Sequence, residues 1–257
     1  MQILAINCGS SSIKCALIDT ENARRVCEVR AEEIGTPNAR LQTPDGSRQL
    51  GEGTTFEQAA LTLLEDMHST ISGLGAIEAV AHRIVHGGER FVQPTRLNEA
   101  SLRELDAVSN LAPLHNLPAL ATVRIAMRTF GEVPHVGVFD TAFHATLPKR
   151  SRRYALPQDI TERLSLRRFG FHGTSHSHVA SAVASHLKVE PQALRVVSCH
   201  LGNGASATAI EYGRSVETSM GMTPLEGLVM GTRAGDLDPG VVLELVRSGM
   251  TIEAADT

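Results

Sequence analysis

The sequence predicts an α/β protein, on three observations. Short apolar runs separated by Gly- and Ser-containing turns fill the first fifty residues. From residue 55 onward, helical periodicity alternates with single strand-like runs. One strand–turn–strand unit is also written twice, as LAINCGSSSIKCALI (4–18) and VVSCHLGNGASATAI (196–210).

Taken in order, ILAIN (3–7) and SIKCALID (12–19) read as a hairpin, and residues 26–34 can add a third strand. Pro44-Asp45-Gly46 between two short segments predicts a further hairpin over 39–50. Thr55 caps a helix whose apolar positions are Phe56, Ala59, Ala60, Leu63, Leu64, Met67 and Ile71. A strand over 77–85 leads into the loop HGGERF, and Asn98 caps a helix reaching about Val108. Asn116 and Pro118 open another helix to about Arg128. PHVGVFD (134–140) reads as a buried strand ending on a carboxylate, and the Arg-rich stretch 149–168 as a domain junction. Thr174 or Ser175 caps a helix to Lys188, the second hairpin spans 195–211, and a helix over 239–248 stops at Gly249. Thr251 can cap one more.

A chain of 257 residues suits one large or two ordinary domains, and 42% hydrophobic with 20% charged residues is the make-up of a globular protein with a real core. A net charge of −4 and the absence of Trp argue against a nucleic-acid partner, which would call for a basic excess or a base-stacking platform. No leader pattern and no apolar stretch near the ~20 residues of a membrane span are present, so a cytoplasmic protein with no membrane partner is expected. The four cysteines form no CxxC pair and read as reduced thiols.

The duplicated hairpins suggest phosphate binding. The loop between two antiparallel strands can turn successive N–H groups into one concavity, which attracts anions without a helix end. NCGSSSIK (7–14) adds three hydroxyls and the point charge of Lys14. Two such hairpins could grip a nucleotide's phosphates from both sides. Only residues 212–257 follow the second unit, against residues 20–194 after the first, so the chain reads as truncated.

HRIVHGGE (82–89), PLHN (113–116), FDTAFH (139–144), FGFHGTSH (169–176), HLGNG (200–204) and ETSMGMTPLEGLVMGTRAGDLDP (217–239) together resemble the acetate kinase family of the acetate and sugar kinase/Hsp70/actin superfamily. The likeness runs from residue 3 to about 248. It implies the actin-like ATPase (ribonuclease H-like) duplicated fold, with residues 1–149 as the first domain and 150–257 as an incomplete second, nucleotide-binding one. It also implies Mg²⁺- (or Mn²⁺-) dependent transfer of a phosphoryl group from ATP to acetate or a short-chain carboxylate, giving ADP and an acyl phosphate. Family members are longer, so with a half-built nucleotide site this chain alone is expected to turn over little and to expose apolar surface. They are commonly homodimeric, which is expected here if the second domain is complete.

By the same resemblance, Asp140, His172, Arg233, Arg83 and His115 are catalytic. Asn7 sits in the magnesium shell, and Ser10, Ser12, Lys14, His200, Leu201, Gly202, Asn203 and Gly204 hold the nucleotide. Arg83, Val85, Leu114, Phe171 and Pro224 line the acyl site. Physical chemistry supports the arginines, whose fork matches carboxylate or phosphate oxygens. Asp140 is expected to hold Mg²⁺ through water or to orient the arginines, because an ionised carboxylate substrate needs no base. A small apolar pocket separates acetate from propionate weakly, one methylene being worth ~1–3 kcal/mol. The sequence departs from the family in HNLP (115–118), Phe169 and Glu217.

Overall fold

Antiparallel pairing begins with the first hairpin. β1 (Gln2–Cys8) and β2 (Ile13–Asp19) pair from Gln2↔Asp19 to Cys8↔Ile13, and β3 (Arg24–Glu32), β4 (Arg40–Thr43) and β5 (Gly46–Gln49) continue the meander. On the other side of β1, β6 (Ala79–Ile84) and β8 (His135–Phe139) run parallel to it, and the two-residue β7 (Thr95–Arg96) closes the edge. The sheet order is β5-β4-β3-β2-β1-β6-β8-β7. The computed structural model describes residues 1–74, 76–131 and 133–255. They divide into two compact units, Met1–Phe139 and Asp140–Thr257.

One face of the large sheet is dry. α1 (Phe56–Ile71) buries Ala59, Ala60, Leu63, Leu64, Met67 and Ile71 against Leu4, Ile6, Cys8, Ile13, Cys15 and Leu17. Each fully buried Leu or Ile contributes ~1.5–3 kcal/mol. Thr55 caps α1 through a capping box with Gln58, and Asn98 caps α2 (Glu99–Val108) through one with Ser101.

α3 spans Pro113–Thr129, so it starts earlier than Asn116 and Pro118 suggest. Pro113 occupies the tolerated first position and Pro118 lies inside the helix. Asn116 is occupied elsewhere: its buried amide accepts the His86 N–H at 3.0 Å and donates to the His86 carbonyl at 2.9 Å. This clamp pins the turn after β6. Replacing Asn116 with Ala orphans both buried groups and is expected to cost about 2 kcal/mol. A denaturant midpoint unchanged by that substitution would contradict the clamp.

The second unit opens with short helices α4 (Lys149–Arg152) and α5 (Gln158–Arg163) in the stretch expected to be a junction. The 3₁₀ segment Ala142–Thr146 packs on elements of this unit, which begins at Asp140. β9 (Arg195–Leu201) and β10 (Ala205–Glu211) form the expected hairpin. An unexpected β11 (Arg214–Thr218) extends it through the turn Tyr212-Gly213, both at positive φ as a two-residue hairpin loop requires. α7 (Pro239–Arg247) is capped by Asp238, and Thr251 accepts the Ala254 N–H at the start of α8 (Ile252–Ala255).

α6 (Gly173–Leu187) also differs from expectation at its start. His172, in the left-handed region at φ 57°, is its N-cap residue and contributes no side-chain cap. Thr174 and Ser175 lie inside the first turn, and their hydroxyls bond elsewhere, as described below.

The two hairpins are built alike. The residue two before the loop pairs with the second residue after it, Asn7 with Lys14 and His200 with Ser206. In each loop the leading glycine N–H closes on the last carbonyl, Gly9 on Ser12 at 2.7 Å and Gly202 on Gly204 at 3.1 Å. The faces differ: Leu4, Ile6 and Cys8 are buried, while their counterparts Val197, Cys199 and Leu201 are exposed, and α7 buries none of its residues.

Candidate active site

In the first unit, three site residues stand abreast. Lys14 on β2, Asn7 on β1 and Arg83 on β6 are register partners. Strand alternation sends them opposite to buried Ile6, Cys8, Ile13, Cys15 and Ile84. Arg83 Nη1 donates to Asn7 Oδ1 at 2.9 Å. The Ser12 carbonyl is taken by Gly9 and that of Ser11 by Ile34, while no protein acceptor among the described residues takes the N–H groups of Ser10, Ser11 and Ser12. N–H groups with no protein acceptor, beside a lysine, suit an anion. Val85 is buried just after β6, and His115 sits in the first turn of α3, half-buried. The Leu114 side chain lies outside the described residues.

In the second unit, four histidines pack around α6. His172 stacks on His200, ring centroids 4.1 Å apart and 25° between planes. His200 Nδ1 is 2.9 Å from Ser175 Oγ, and the Thr174 hydroxyl donates to Asp140 Oδ1 at 2.5 Å. Those are the two hydroxyls expected to cap α6. Asp140, 1% exposed, also accepts the Gly173 N–H on its carbonyl. His144 bonds Ser215 and the carbonyl of fully buried Phe171. Burial pulls the His144 ring down to about 4, an effect the Phe171 carbonyl only partly offsets. His176 is brought to about 4 by burial first, then by nearby His144 and His200.

Arg233 reaches the same group. A Cβ placed on Gly204 would lie 3.4 Å from His172 Nε2 and 3.5 Å from Arg233 Nη1, so a ring nitrogen and a guanidinium converge over the second hairpin's loop. Arg233 Nη1 is held by the Pro224 carbonyl at 3.2 Å, and Gly231 N–H bonds the Asn203 carbonyl at 3.3 Å. Leu201, at the end of β9, turns its side chain to solvent.

The surrounding loop is stitched by residues that sequence reasoning missed. Arg168 donates to the carbonyls of Thr218, Ser219 and Met220 and to Glu226 Oε1 at 2.5 Å. Tyr154 donates to Glu226 Oε2 at 2.6 Å and accepts the Met222 N–H. Burial and then the Glu226 carboxylate push the Tyr154 phenol up to about 12. Ser198 and Ser206 were missed as well. The duplicated hairpin gave one signal, because Ser206 stands where Lys14 stands in the first copy.

Among the described residues, no three His, Cys, Asp or Glu side chains gather as a metal cage. A cation such as Mg²⁺ keeps waters and phosphate oxygens and takes only one or two protein oxygens. Asp140 is the charged candidate, although its Oδ1 already takes the Thr174 hydroxyl. Asn7 fits less well, since its Oδ1 already accepts from the Arg83 guanidinium.

A sheet with a parallel core, followed by a second copy of its glycine-turned hairpin, is the build of the actin-like ATPase fold. The chain belongs to the acetokinase family, whose model matches residues 2–257. It is 45% identical to the acetate kinase of Thermotoga maritima over 248 residues, 94% of this chain and 62% of that protein. Solved structures agree. A propionate kinase from Francisella tularensis superposes with a TM-score of 0.90 at 38% identity, covering 98% of this chain and 66% of that one. Porphyromonas gingivalis acetate kinase gives 0.87 at 34%, covering 99% and 66%. The chain thus spans about two thirds or less of the length of these relatives. Among the described residues no helix is long and apolar enough to cross a membrane.

Proposed function

We propose that the protein works in reversible transfer of the terminal phosphoryl group of ATP to acetate, yielding acetyl phosphate and ADP. The convergence of His172 and Arg233 over Gly204 carries the reading. A carboxylate oxygen of acetate attacks the γ-phosphorus in line, the bond to the β–γ bridging oxygen breaks, and ADP leaves with that electron pair. No proton need move. The transition state spreads charge over the equatorial oxygens, so fixed donors provide most of the catalysis. In this reading Arg233 and His172 face those oxygens, and Arg83 holds the carboxylate. The Ser10–Ser12 and 202–204 loops, Lys14 and His200 hold the nucleotide phosphates. Bound Mg²⁺ supplies charge neutralisation on the phosphates, with Asp140 its protein-side oxygen or an orienter of the arginines. The family resemblance assigns Val85, Leu114, Phe171 and Pro224 to the methyl group of the substrate. The domain division at 149/150, a homodimeric assembly and a cytoplasmic location belong to the same proposal.

A second acceptor is favoured by one observation: the 38% identical Francisella protein is a propionate kinase. Hydroxamate trapping of acyl phosphate, with acetate and propionate side by side, tests both. Gly204→Ala serves as the probe. Gly204 lacks a positive φ, and its Cβ meets only ordinary contacts, so melting should be unchanged. The methyl group would nevertheless fill the space between His172 and Arg233 and lower acyl phosphate formation about tenfold or more. Acyl phosphate formed as fast by Gly204→Ala as by wild type would remove this reading of the site.

A further inference from the structure

Ser206 lies on β10 with no exposure, and its Oγ is 2.9 Å from His172 Nδ1 and 2.8 Å from His176 Nε2. His176 Nδ1 in turn is 3.0 Å from Ser198 Oγ, itself 3% exposed. A hydroxyl has one proton, so Ser206 donates to one ring and accepts from the other. A neutral imidazole likewise donates from one nitrogen and accepts at the other. Burial keeps His176 neutral at ordinary pH. With His172 neutral as well, the four groups are a single wire with two possible senses.

In one sense protons point inward: His172 Nδ1–H to Ser206, Ser206 to His176 Nε2, and His176 Nδ1–H to Ser198. The Ser198 proton then finds no acceptor among the described residues, and an unsatisfied buried donor is costly. In the other sense Ser198 donates to His176 Nδ1, His176 Nε2–H to Ser206, and Ser206 to His172 Nδ1. Each buried proton along the wire then has an acceptor, and the remaining one, on His172 Nε2, lies toward the space over Gly204.

We propose that Ser206, His176 and Ser198 are positioning residues that fix neutral His172 with its proton on Nε2, the nitrogen beside Arg233 over Gly204. His172 is thereby a donor before any charge develops, and its stack on His200 holds the ring plane. The value of that donor to catalysis rests on the phosphoryl-transfer reading above; the tautomer itself does not.

The test is long-range ¹H–¹⁵N correlation on ¹⁵N-histidine-labelled protein at neutral pH, with His172 assigned by its loss in His172→Gln. The wild type should show His172 Nδ1 bare and Nε2 protonated. Ser206→Ala should convert it to a mixture or to the Nδ1–H form, Ser206→Thr should restore it, and Ser198→Ala should mix the tautomers with Ser206 still in place. Circular dichroism checks that each variant is folded, and if Ser206→Ala fails to fold, Ser198→Ala decides alone. Wild-type His172 protonated on Nδ1, or folded variants with unchanged tautomer, overturns the proposal. Where acyl phosphate forms, kcat should fall about tenfold in Ser206→Ala with KM unchanged, and an unchanged kcat with a flipped tautomer overturns the positioning role. Absence of acyl phosphate in the wild type would count against the functional reading and leave the tautomer result standing.

Discussion

Gly173→Ala is expected to cost about 4 kcal/mol and to displace His172. Gly173 is the buried first residue of α6, and its N–H bonds the Asp140 carbonyl at 2.9 Å. A methyl group there would collide with that same carbonyl oxygen and stand 2.8 Å from Phe143 Cβ. Neither obstacle is the end of a flexible side chain, so the segment from Asp140 to Phe143 or the start of α6 must shift. Overpacking of this kind costs ~1–3 kcal/mol and sometimes more, and the strained hydrogen bond adds ~1 kcal/mol. The residue before it, His172, is already in the left-handed region, a conformation the surroundings must enforce. Gly35 is the natural control: it has φ 86° but nothing within 4 Å, so alanine there meets only backbone strain of ~1–2 kcal/mol. At ~2–4 °C per kcal/mol, Gly173→Ala should melt roughly 10 °C below wild type. A melting temperature within 2 °C of wild type, or below it by no more than the Gly35→Ala variant, would show that the Asp140–Gly173 contact does not hold the helix start.

That contact illustrates what could and could not be read in advance. The hairpins, the Thr55 and Asn98 caps and the helix start at 239 were legible because each is decided by neighbours within a few residues. β11 was missed although Tyr212-Gly213 between two alternating runs is a local hairpin signal. Thr174, Ser175 and Asn116 are polar residues near helix starts, where capping is the commonest role. Their real partners, Asp140, His200 and His86, lie 34, 25 and 30 residues away. No local propensity reports a bond at that separation. The same holds for Ser206 and for Arg168, whose guanidinium gathers three carbonyls fifty or more residues downstream. Charged residues inside glycine-rich motifs stand out by type; the hydroxyls and amides that aim them stand out only once the chain has folded.

The buried histidines imply a second large effect, loss of stability in mild acid. His82 is 2% exposed, its ring 2.9 Å from His135, and burial followed by repulsion from His135 depresses it from 6.5 to about 3. His144, with no exposure, is depressed to about 4. A group depressed in the folded state binds its proton more readily when unfolded, so the unfolded chain takes up more protons between the two values and stability rises with pH across that window. For a histidine, therefore, the contribution is fully present above 6.5 and is lost as the pH falls toward the folded value. Between pH 7 and pH 5 each of these two rings should remove about 2 kcal/mol, on the order of 4 kcal/mol together. His135 and His176, both lowered by burial, act in the same direction. Urea titrations at pH 7, 6 and 5 should show the midpoint falling steeply, one proton taken up on unfolding for each buried ring near pH 5. Removing His82 alone is a poor probe because it leaves a hole. His82→Gln keeps a hydrogen-bonding side chain of similar length beside His135 without an ionisable ring, and should flatten the dependence by about one proton. A midpoint that stays level from pH 7 to pH 5 would mean that His82 and His144 ionise as freely in the folded protein as in the unfolded chain, and that their burial is not maintained in solution.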